Sequence, residues 1–188
     1  EIDNKYIMSP KDLCTIEFMD KIIDAGVTVF KIEGRARSAE YVKTVARCYR
    51  DAADAVLAGK YTPEYASELK ERLSTVFNRG FWDGYYQGAR LGEWSEVYGN
   101  KATKSKKYIG KVTNYFSNIG VAEILIETGS ISVGDNVIII GPSTGVVEVT
   151  VEEIRVDLKS TESAVKGEYC SIAVPEKLRR SDTLYLFQ

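Results

Sequence analysis

Residues 27–38 have the sequence VTVFKIEGRARS, and this stretch decides the predicted fold of the first half of the chain. Its first six residues form a β-branched, apolar run with the length of a buried strand. Gly26, just before the run, is typical of a helix end, and Ser38 is a favourable N-cap for a following helix. Helix, strand and helix in this order indicate an α/β fold.

Further elements extend this pattern in both directions. A helix is predicted after Ser9-Pro10, because apolar residues recur at helical spacing between positions 13 and 23. Residues 1–8 are predicted as a preceding strand. A long helix is predicted from Ser38 to Gly59, and another from Thr62-Pro63, where a cap and a proline stand in the expected order.

The second half of the chain has a different character. Residues 99–107 are small, polar and basic, as in a linker. Short β-rich runs then alternate with turn residues, at Ile109–Thr113, Val121–Glu127, Asn136–Ile140, Val146–Val156, Tyr169–Val174 and Thr183–Phe187. This spacing predicts an all-β sandwich or barrel. We therefore expect two domains, residues 1–104 and residues 105–188.

Composition excludes several kinds of active site. The 188 residues carry a net charge of −2, so the chain as a whole is not a polycation. It contains no histidine, which excludes a Ser-His-Asp triad, a Cys-His dyad and any histidine metal site built from this chain alone. Its three cysteines are far apart and odd in number, so reduced thiols are expected. With no membrane-length apolar run and no leader sequence, a cytoplasmic location and no membrane partner are expected.

Three motifs resemble those of peptidase family U32, the collagenase-like peptidases of unassigned mechanism. They are MSPKDLC at residues 8–14, FKIEGR at 30–35 followed by SAEYV at 38–42, and FNRGF at 77–81. Two further strings, GDNVIIIGP at 134–142 and KGE at 166–168, are similar to the small β-barrel appended to many members, which itself resembles domain 2 of translation elongation factors. The resemblance implies that residues 1–104 are the last segment of a TIM-like (βα) barrel with a helical extension. Residues 105–188 would then be an accessory β-barrel.

The resemblance also implies two alternative functions. Some members are described as collagenases, while others act in prephenate-dependent hydroxylation of tRNA or rRNA pyrimidines with an iron–sulfur cluster. RNA hydroxylation suits this sequence better, because the chain lacks a complete hydrolytic constellation. The expected partners are tRNA or rRNA and a homo-oligomeric copy, with prephenate as co-substrate. A third alternative is that the chain is an accessory module without activity. We expect this of the isolated chain, with no cofactor bound, because a barrel active site is assembled from several strand ends.

Cys14 is the candidate metal ligand. It is predicted to follow a strand and to lie in the first turn of a helix, where the helix N-terminus favours the thiolate that binds metals. The resemblance supports a ligand role for Cys14 in an iron–sulfur or other metal centre whose remaining ligands lie outside this chain. The alternative is a small buried apolar residue.

The main candidate cluster lies at the end of the predicted strand and consists of Lys31, Glu33, Arg35 and Arg37. Lys31 and Glu33 are the candidate catalytic residues, and Glu33 either orients an arginine or exchanges a proton. The two arginines are candidates for binding the carboxylates of prephenate or the phosphates of RNA. The alternative is an interior Lys–Glu–Arg network that closes the barrel.

The remaining candidates are weaker. Asn78 and Arg79 are assigned to substrate or anion binding, although an Asn-Arg-Gly helix end explains them equally well. Five aromatic residues are candidates for stacking on bases, with packing as the alternative: Phe81, Trp82, Tyr85, Tyr86 and Trp94. Four lysines are candidates for contacting RNA phosphates, with a solvated linker as the alternative: Lys101, Lys104, Lys106 and Lys107.

Overall fold

The chain divides into two compact units, Glu1–Thr103 and Lys104–Gln188. The computed structural model describes residues 9–95 and 99–188, so the strand predicted over residues 1–8 lies outside the described residues. No helix in the described ranges is long and apolar enough to span a bilayer. The chain combines helices in the first unit with a large antiparallel sheet in the second.

The first unit is mainly helical. A 3-10 helix spans Ile16–Phe18, and three α-helices span Met19–Asp24 (α1), Ala39–Leu57 (α2) and Pro63–Ser74 (α3). Helix α2 starts directly after Ser38, as predicted. Helix α3 starts at the predicted proline, and the Thr62 hydroxyl accepts a hydrogen bond from the Tyr65 N–H at 3.2 Å. The start of α2 is therefore as predicted, although the Ser38 side chain makes no capping hydrogen bond, and the capping signal of α3 is confirmed.

The core of the first unit lies between these helices. One stripe of α2 and one stripe of α3 are buried against the 3-10 helix and α1, because apolar residues recur at intervals of three and four positions along each helix. The buried positions are Cys14, Ile16, Met19, Val45, Cys48, Ala52, Leu69, Leu73 and Val76. The structural role expected for Cys48 agrees with its place in this cluster.

The beginning of the first unit differs from the prediction. Asp12–Leu13 is a short strand (β1), which pairs in parallel with Phe81–Trp82 (β2). The amides of Asp12 and Cys14 donate to the carbonyls of Gly80 and Trp82, at 2.8 and 2.9 Å, and not to a preceding helical turn. The helix predicted to start after Pro10 therefore begins only at Ile16.

The strand predicted over residues 27–32 is wrong for this chain. Residues 27–38 contain neither strand nor helix, and the Val29 side chain is 82% exposed. A β-strand needs a neighbouring strand to take up its backbone hydrogen bonds, and the described residues bring none to this segment. High β-propensity alone does not create a strand.

The second unit consists of ten strands. They are Lys106–Phe116 (β3), Val121–Ile126 (β4), Ser130–Ser132 (β5), Asn136–Gly141 (β6), Gly145–Thr150 (β7), Ile154–Val156 (β8), Lys159–Thr161 (β9), Ser163–Val165 (β10), Tyr169–Ala173 (β11) and Thr183–Phe187 (β12). Eight form one antiparallel sheet in the order β7-β6-β12-β3-β4-β11-β8-β9, and β5 pairs with β10.

All six predicted β-rich runs contain strands, although the run over 146–156 is divided between β7 and β8. The short strands β5, β9 and β10 were not predicted, because three residues carry too little periodicity. Lys106 and Lys107 belong to β3, so they are not part of a linker. Alternate residues of the longer strands enter one apolar core, including Ile124, Ile139 and Cys170. The core-strand position expected for Cys170 is confirmed.

Candidate anion-binding site

Asp12 lies at the centre of the candidate site. Strand pairing of β1 with β2 holds its backbone beside the 78–80 turn. Its carboxylate accepts hydrogen bonds from the Arg79 backbone N–H at 2.9 Å and from Arg79 Nη2 at 3.1 Å. The same carboxylate forms an ion pair with Arg37 Nη2 at 3.6 Å. One acidic group thus fixes two guanidinium groups that come from distant parts of the chain.

Arg37 is also held by aromatic rings. Its guanidinium carbon lies 4.0 Å from the centre of the Phe77 ring and 5.3 Å from that of Tyr41. Such contacts add a cation–π attraction to the ion pair with Asp12. Burial raises the pKa of Tyr41, with the nearby Arg37 charge acting in the opposite direction. Tyr41 therefore remains a neutral hydroxyl beside the guanidinium at physiological pH.

Glu33 forms hydrogen bonds that stabilise its own turn. Its Oε1 accepts a hydrogen bond from the Arg35 backbone N–H at 2.7 Å, and the Tyr41 hydroxyl donates to its backbone carbonyl at 3.4 Å. The turn closes when the Arg37 N–H donates to the Gly34 carbonyl at 3.0 Å. Glu33 consequently shapes the loop that carries Arg35 and Arg37.

These residues surround a cavity of about 700 Å³. Four cationic and two acidic side chains line it: Lys31, Arg35, Arg37, Arg79, Asp12 and Glu33. The structure therefore brings together five of the seven residues predicted to act, and it adds Asp12. The excess of cationic groups favours an anionic ligand, and guanidinium groups bind carboxylates and phosphates in a two-pronged geometry.

Asn78 has a different position, in the turn behind this cavity. The residue is buried, and its amide nitrogen donates to the carbonyls of Val76 at 2.9 Å and Ser74 at 3.3 Å. Its Oδ1 accepts from the Gly80 N–H at 3.1 Å, where Gly80 has a φ of +85°. These contacts agree with the alternative of a helix end, and Asn78 is not among the residues that line the cavity.

Cys14 packs into the helical core. It is buried beside Tyr49, whose hydroxyl donates to its Sγ at 3.9 Å, and it is not among the residues lining the 700 Å³ cavity. Burial raises the pKa of this thiol, which opposes the thiolate expected at a helix N-terminus. Within residues 9–95 and 99–188, no group of three or more His, Cys, Asp or Glu side chains is arranged to hold a metal ion. The described residues alone therefore do not fit an iron–sulfur cluster.

The sequence analysis did not identify Asp12, Tyr41 or Phe77 as parts of the site. Asp12 and Arg79 are 67 residues apart, and no spacing rule connects them. The three residues do lie within the family motifs, in MSPKDLC, SAEYV and FNRGF, but nothing in those motifs shows that they meet. Its partners become apparent only when β1 and β2 pair.

A second cavity, of about 520 Å³, also borders the 27–32 segment. Its lining is mostly apolar and comes from this segment, α1 and α2: Ile23, Val27, Val29, Phe30, Ile32, Ala46, Ala53 and Leu57. Val29 and Leu57 are largely exposed. Apolar surface of this kind normally marks a contact with further protein.

Among the described aromatic residues, Phe81 and Trp82 form β2, and the Trp82 ring meets that of Tyr85 edge-on at 5.3 Å. Tyr85 and Tyr86 are exposed, and Tyr86 contributes to the lining of the 700 Å³ cavity. The Pro10 backbone forms an isolated bridge with Trp94. Packing therefore accounts for part of this group, and Tyr86 is the member that also faces the candidate site.

Comparison with known proteins gives the family. Residues 1–96 match the family model described as Peptidase family U32. The chain is 57% identical over 187 residues to a protein named Collagenase from Porphyromonas gingivalis, covering 100% of this chain and 45% of that protein. It is 27% identical over 184 residues to tRNA hydroxylation protein P of Haemophilus influenzae, covering 96% of this chain and 39% of that one. The chain thus spans less than half the length of either relative.

A solved structure matches part of the chain. The C-terminal domain of a U32 peptidase from Geobacillus thermoleovorans is 19% identical, with a TM-score of 0.40. The match covers 42% of this chain and 96% of that domain.

Proposed function

Because the chain belongs to peptidase family U32, we propose that it supplies an anion-binding pocket to an enzyme that hydroxylates pyrimidines of tRNA or rRNA with prephenate. The observation that carries this proposal is the 700 Å³ cavity in which Asp12 holds Arg37 and Arg79 among further cationic groups. The relative named tRNA hydroxylation protein P supports hydroxylation as the reaction and tRNA as the partner. A cytoplasmic location is part of this proposal, because it suits an RNA substrate.

In this proposal the residues of the pocket have separate roles. Arg37 and Arg79 bind one carboxylate of prephenate or a phosphate of RNA, because Asp12 has already fixed their orientation and little side-chain entropy is lost on binding. Arg35 and Lys31 face the same cavity and bind a second anionic group. Glu33, together with Lys31, is the proposed proton-transfer pair beside the bound anion.

We propose that the first unit completes a (βα) barrel with protein outside this chain. Within residues 9–95 and 99–188 no strand pairs with the β-branched segment 27–32, and the 520 Å³ apolar cavity lies beside it. A parallel strand on each side would satisfy its backbone and cover Val29 and Leu57. The relatives are more than twice as long as this chain, which leaves ample sequence for such strands. The second unit is proposed as the accessory β-barrel of the translation-factor type.

A metal or iron–sulfur centre remains a proposal for the complete protein. Cys14 would serve as one ligand, with the others outside this chain. Its burial beside Tyr49 is an argument against that role, since the thiol would have to be uncovered and deprotonated first. Equal iron content in full-length protein with and without Cys14→Ala would exclude Cys14 as a ligand.

Proteolysis is the second candidate function, because the 57% identical relative is named Collagenase. In that case this chain would contribute a structural or substrate-recognition region. Any histidine for hydrolysis would have to come from outside it, since the chain contains none. The same cationic pocket would then bind acidic side chains or a terminal carboxylate of the peptide.

Mass spectrometry of nucleosides from tRNA and rRNA distinguishes the two functions. Cells with and without the full-length gene are compared, and the deletion strain is complemented with the wild-type gene. We expect a hydroxylated pyrimidine to disappear in the deletion strain and to return on complementation. An unchanged nucleoside profile, together with collagen cleavage by the purified full-length protein, would favour the peptidase.

A further inference from the structure

The outward face of the second unit carries a group of aromatic and lysine side chains at the junction of β12 and β3. Along β12, Leu184 and Leu186 enter the core, so Tyr185 and Phe187 point to the opposite side and are partly exposed. Tyr108 of β3 pairs in register with Tyr185. We call Lys104, Lys106, Tyr108, Tyr185 and Phe187 the aromatic–lysine face.

The lysines of this face lie over the aromatic rings. Lys104 Nζ is 5.0 Å from the centre of the Phe187 ring, and Lys106 Nζ is 5.1 Å from that of Tyr185. The rings of Tyr185 and Tyr108 meet edge-on, with centroids 5.7 Å apart. Each cation is therefore next to a π-surface. The two groups that contact a nucleotide, an ammonium for the phosphate and a ring for the base, are therefore paired twice beside the neighbouring strands β12 and β3, inside the eight-stranded sheet.

Tyr108 is held rigidly by a neighbouring acid. Its hydroxyl donates to Glu127 Oε2 at 2.5 Å, and Lys111 Nζ lies 2.6 Å from the other oxygen of the same carboxylate. The hydrogen bond to Glu127 raises the pKa of Tyr108 to about 12, so the phenol stays neutral. Because Lys111 offsets the charge of Glu127, this acid does not turn the face into a negative one. The fixed Tyr108 ring in turn supports the Tyr185 ring, which it meets edge-on.

The face has limits on both sides. Ile138 of β6 is aligned with Tyr185 but is only 1% exposed, so on this side the exposed face ends at β12, and Glu148 of β7 lies one strand beyond Ile138. On the other side, the face reaches as far as β11, where Tyr169 is 54% exposed and is aligned with Leu125 of β4. Adjacent strands are about 4.8 Å apart, so the distance from β12 to β11 is roughly 15 Å, enough for two to three nucleotides.

We propose that the aromatic–lysine face binds single-stranded RNA, with bases stacked on Tyr185 and Phe187 and phosphates paired with Lys104 and Lys106. Aromatic rings interleaved with cations are the arrangement by which proteins bind unpaired nucleotides. A duplex hides its bases from such rings, so an unpaired loop or end is the fitting partner. This inference names the RNA-contacting surface of the proposed enzyme and in that respect rests on the proposed function. RNA binding can nevertheless be measured without any hydroxylation.

Fluorescence anisotropy with the complete 188-residue chain tests this surface. The probes are a fluorescein-labelled, unstructured ten-nucleotide RNA and the same strand annealed to its complement, both at 50 mM salt. We expect a dissociation constant on the order of 10⁻⁵ M for the single strand and weaker binding of the duplex. The double variant Lys104→Glu/Lys106→Glu should bind the single strand at least about tenfold more weakly. Phe187→Ala should lose roughly fivefold or more, because one stacking platform is removed.

Lys159→Glu is the matched control, since it reverses an exposed lysine on β9, away from this face. It should bind within about twofold of the wild type. Equal losses for Lys159→Glu and the double variant would overturn the proposal, as would unchanged binding in the double variant or tighter binding of the duplex. If circular dichroism shows that the Phe187→Ala variant is unfolded, the double variant at the two exposed lysines still decides whether the proposal holds. RNA binding that fails here while cellular hydroxylation persists would refute this surface alone and leave the proposed function standing.

Discussion

Replacing Asp12 should destabilise the first unit far more than replacing an ordinary surface acid. In the folded chain its carboxylate accepts a backbone and a guanidinium hydrogen bond from Arg79 and pairs with Arg37. The side chains of Asp12 and Arg37 are each only 20% exposed. Asp12→Ala therefore leaves two partly buried cations without their counterion and one backbone N–H without its acceptor.

The expected cost lies between that of a surface ion pair and that of a buried one. Exposed pairs contribute about 0–1 kcal/mol, and breaking a fully buried pair costs about 3–5 kcal/mol. With the groups one-fifth to one-third exposed, we expect a loss of about 2 kcal/mol in the free energy of unfolding. Asp12→Asn should lose roughly half as much, because its amide oxygen still accepts from the Arg79 N–H but carries no charge.

Tryptophan fluorescence during urea unfolding measures this loss selectively. Both tryptophans, Trp82 and Trp94, belong to the first unit, so the signal is not mixed with unfolding of the sheet. Glu93→Ala is the matched control, because it removes a more exposed ion pair with Lys11 and should cost less than about 1 kcal/mol. Equal losses for Asp12→Ala and Glu93→Ala would refute the view that Asp12 organises the two arginines.

Three further perturbations give separate tests. Asn78→Ala should cost about 2 kcal/mol of stability in the same urea assay, since it removes three hydrogen bonds of a buried amide; a loss below about 0.5 kcal/mol would contradict its structural role. All three thiols should react slowly with a disulfide reagent at pH 8, because they are buried and burial raises their pKa; a rapidly reacting Cys14 would instead support the thiolate. Val29→Asp should change the stability of this chain by less than about 0.5 kcal/mol, yet it should prevent folding of the full-length protein; normal full-length folding would argue against the barrel.

Local sequence signals predicted the elements that are specified by residues close to one another in the sequence. Helices α2 and α3 each have an apolar stripe, and Ser38 and Thr62-Pro63 directly before them were sufficient to locate their starts. The alternation of buried and exposed residues likewise located the longer strands of the second unit. The 27–32 segment has the composition of a strand, but a strand depends on neighbours, and the neighbours are not among the described residues of this chain.

The candidate site was predicted only in part, for a related reason. Lys31, Glu33, Arg35 and Arg37 are close in sequence, and the structure keeps them around one cavity. The contribution of Asp12 depends on the pairing of β1 with β2, which brings Asp12 to Arg79, 67 residues away, and no local pattern encodes it. The lysines at 106 and 107 were assigned to a linker on composition, whereas strand pairing with β12 places them in the sheet.

The most direct test of the proposed pocket is complementation of a deletion strain with full-length protein carrying Arg37→Gln, followed by mass spectrometry of RNA nucleosides. Arg47→Gln is the control, because Arg47 lies on α2 with a side chain 73% exposed and away from the cavity. We predict that wild-type protein and Arg47→Gln restore the hydroxylated pyrimidine, while Arg37→Gln, present at equal protein level, does not. Full restoration by Arg37→Gln, or a deletion strain that never loses the modification, would contradict the proposal.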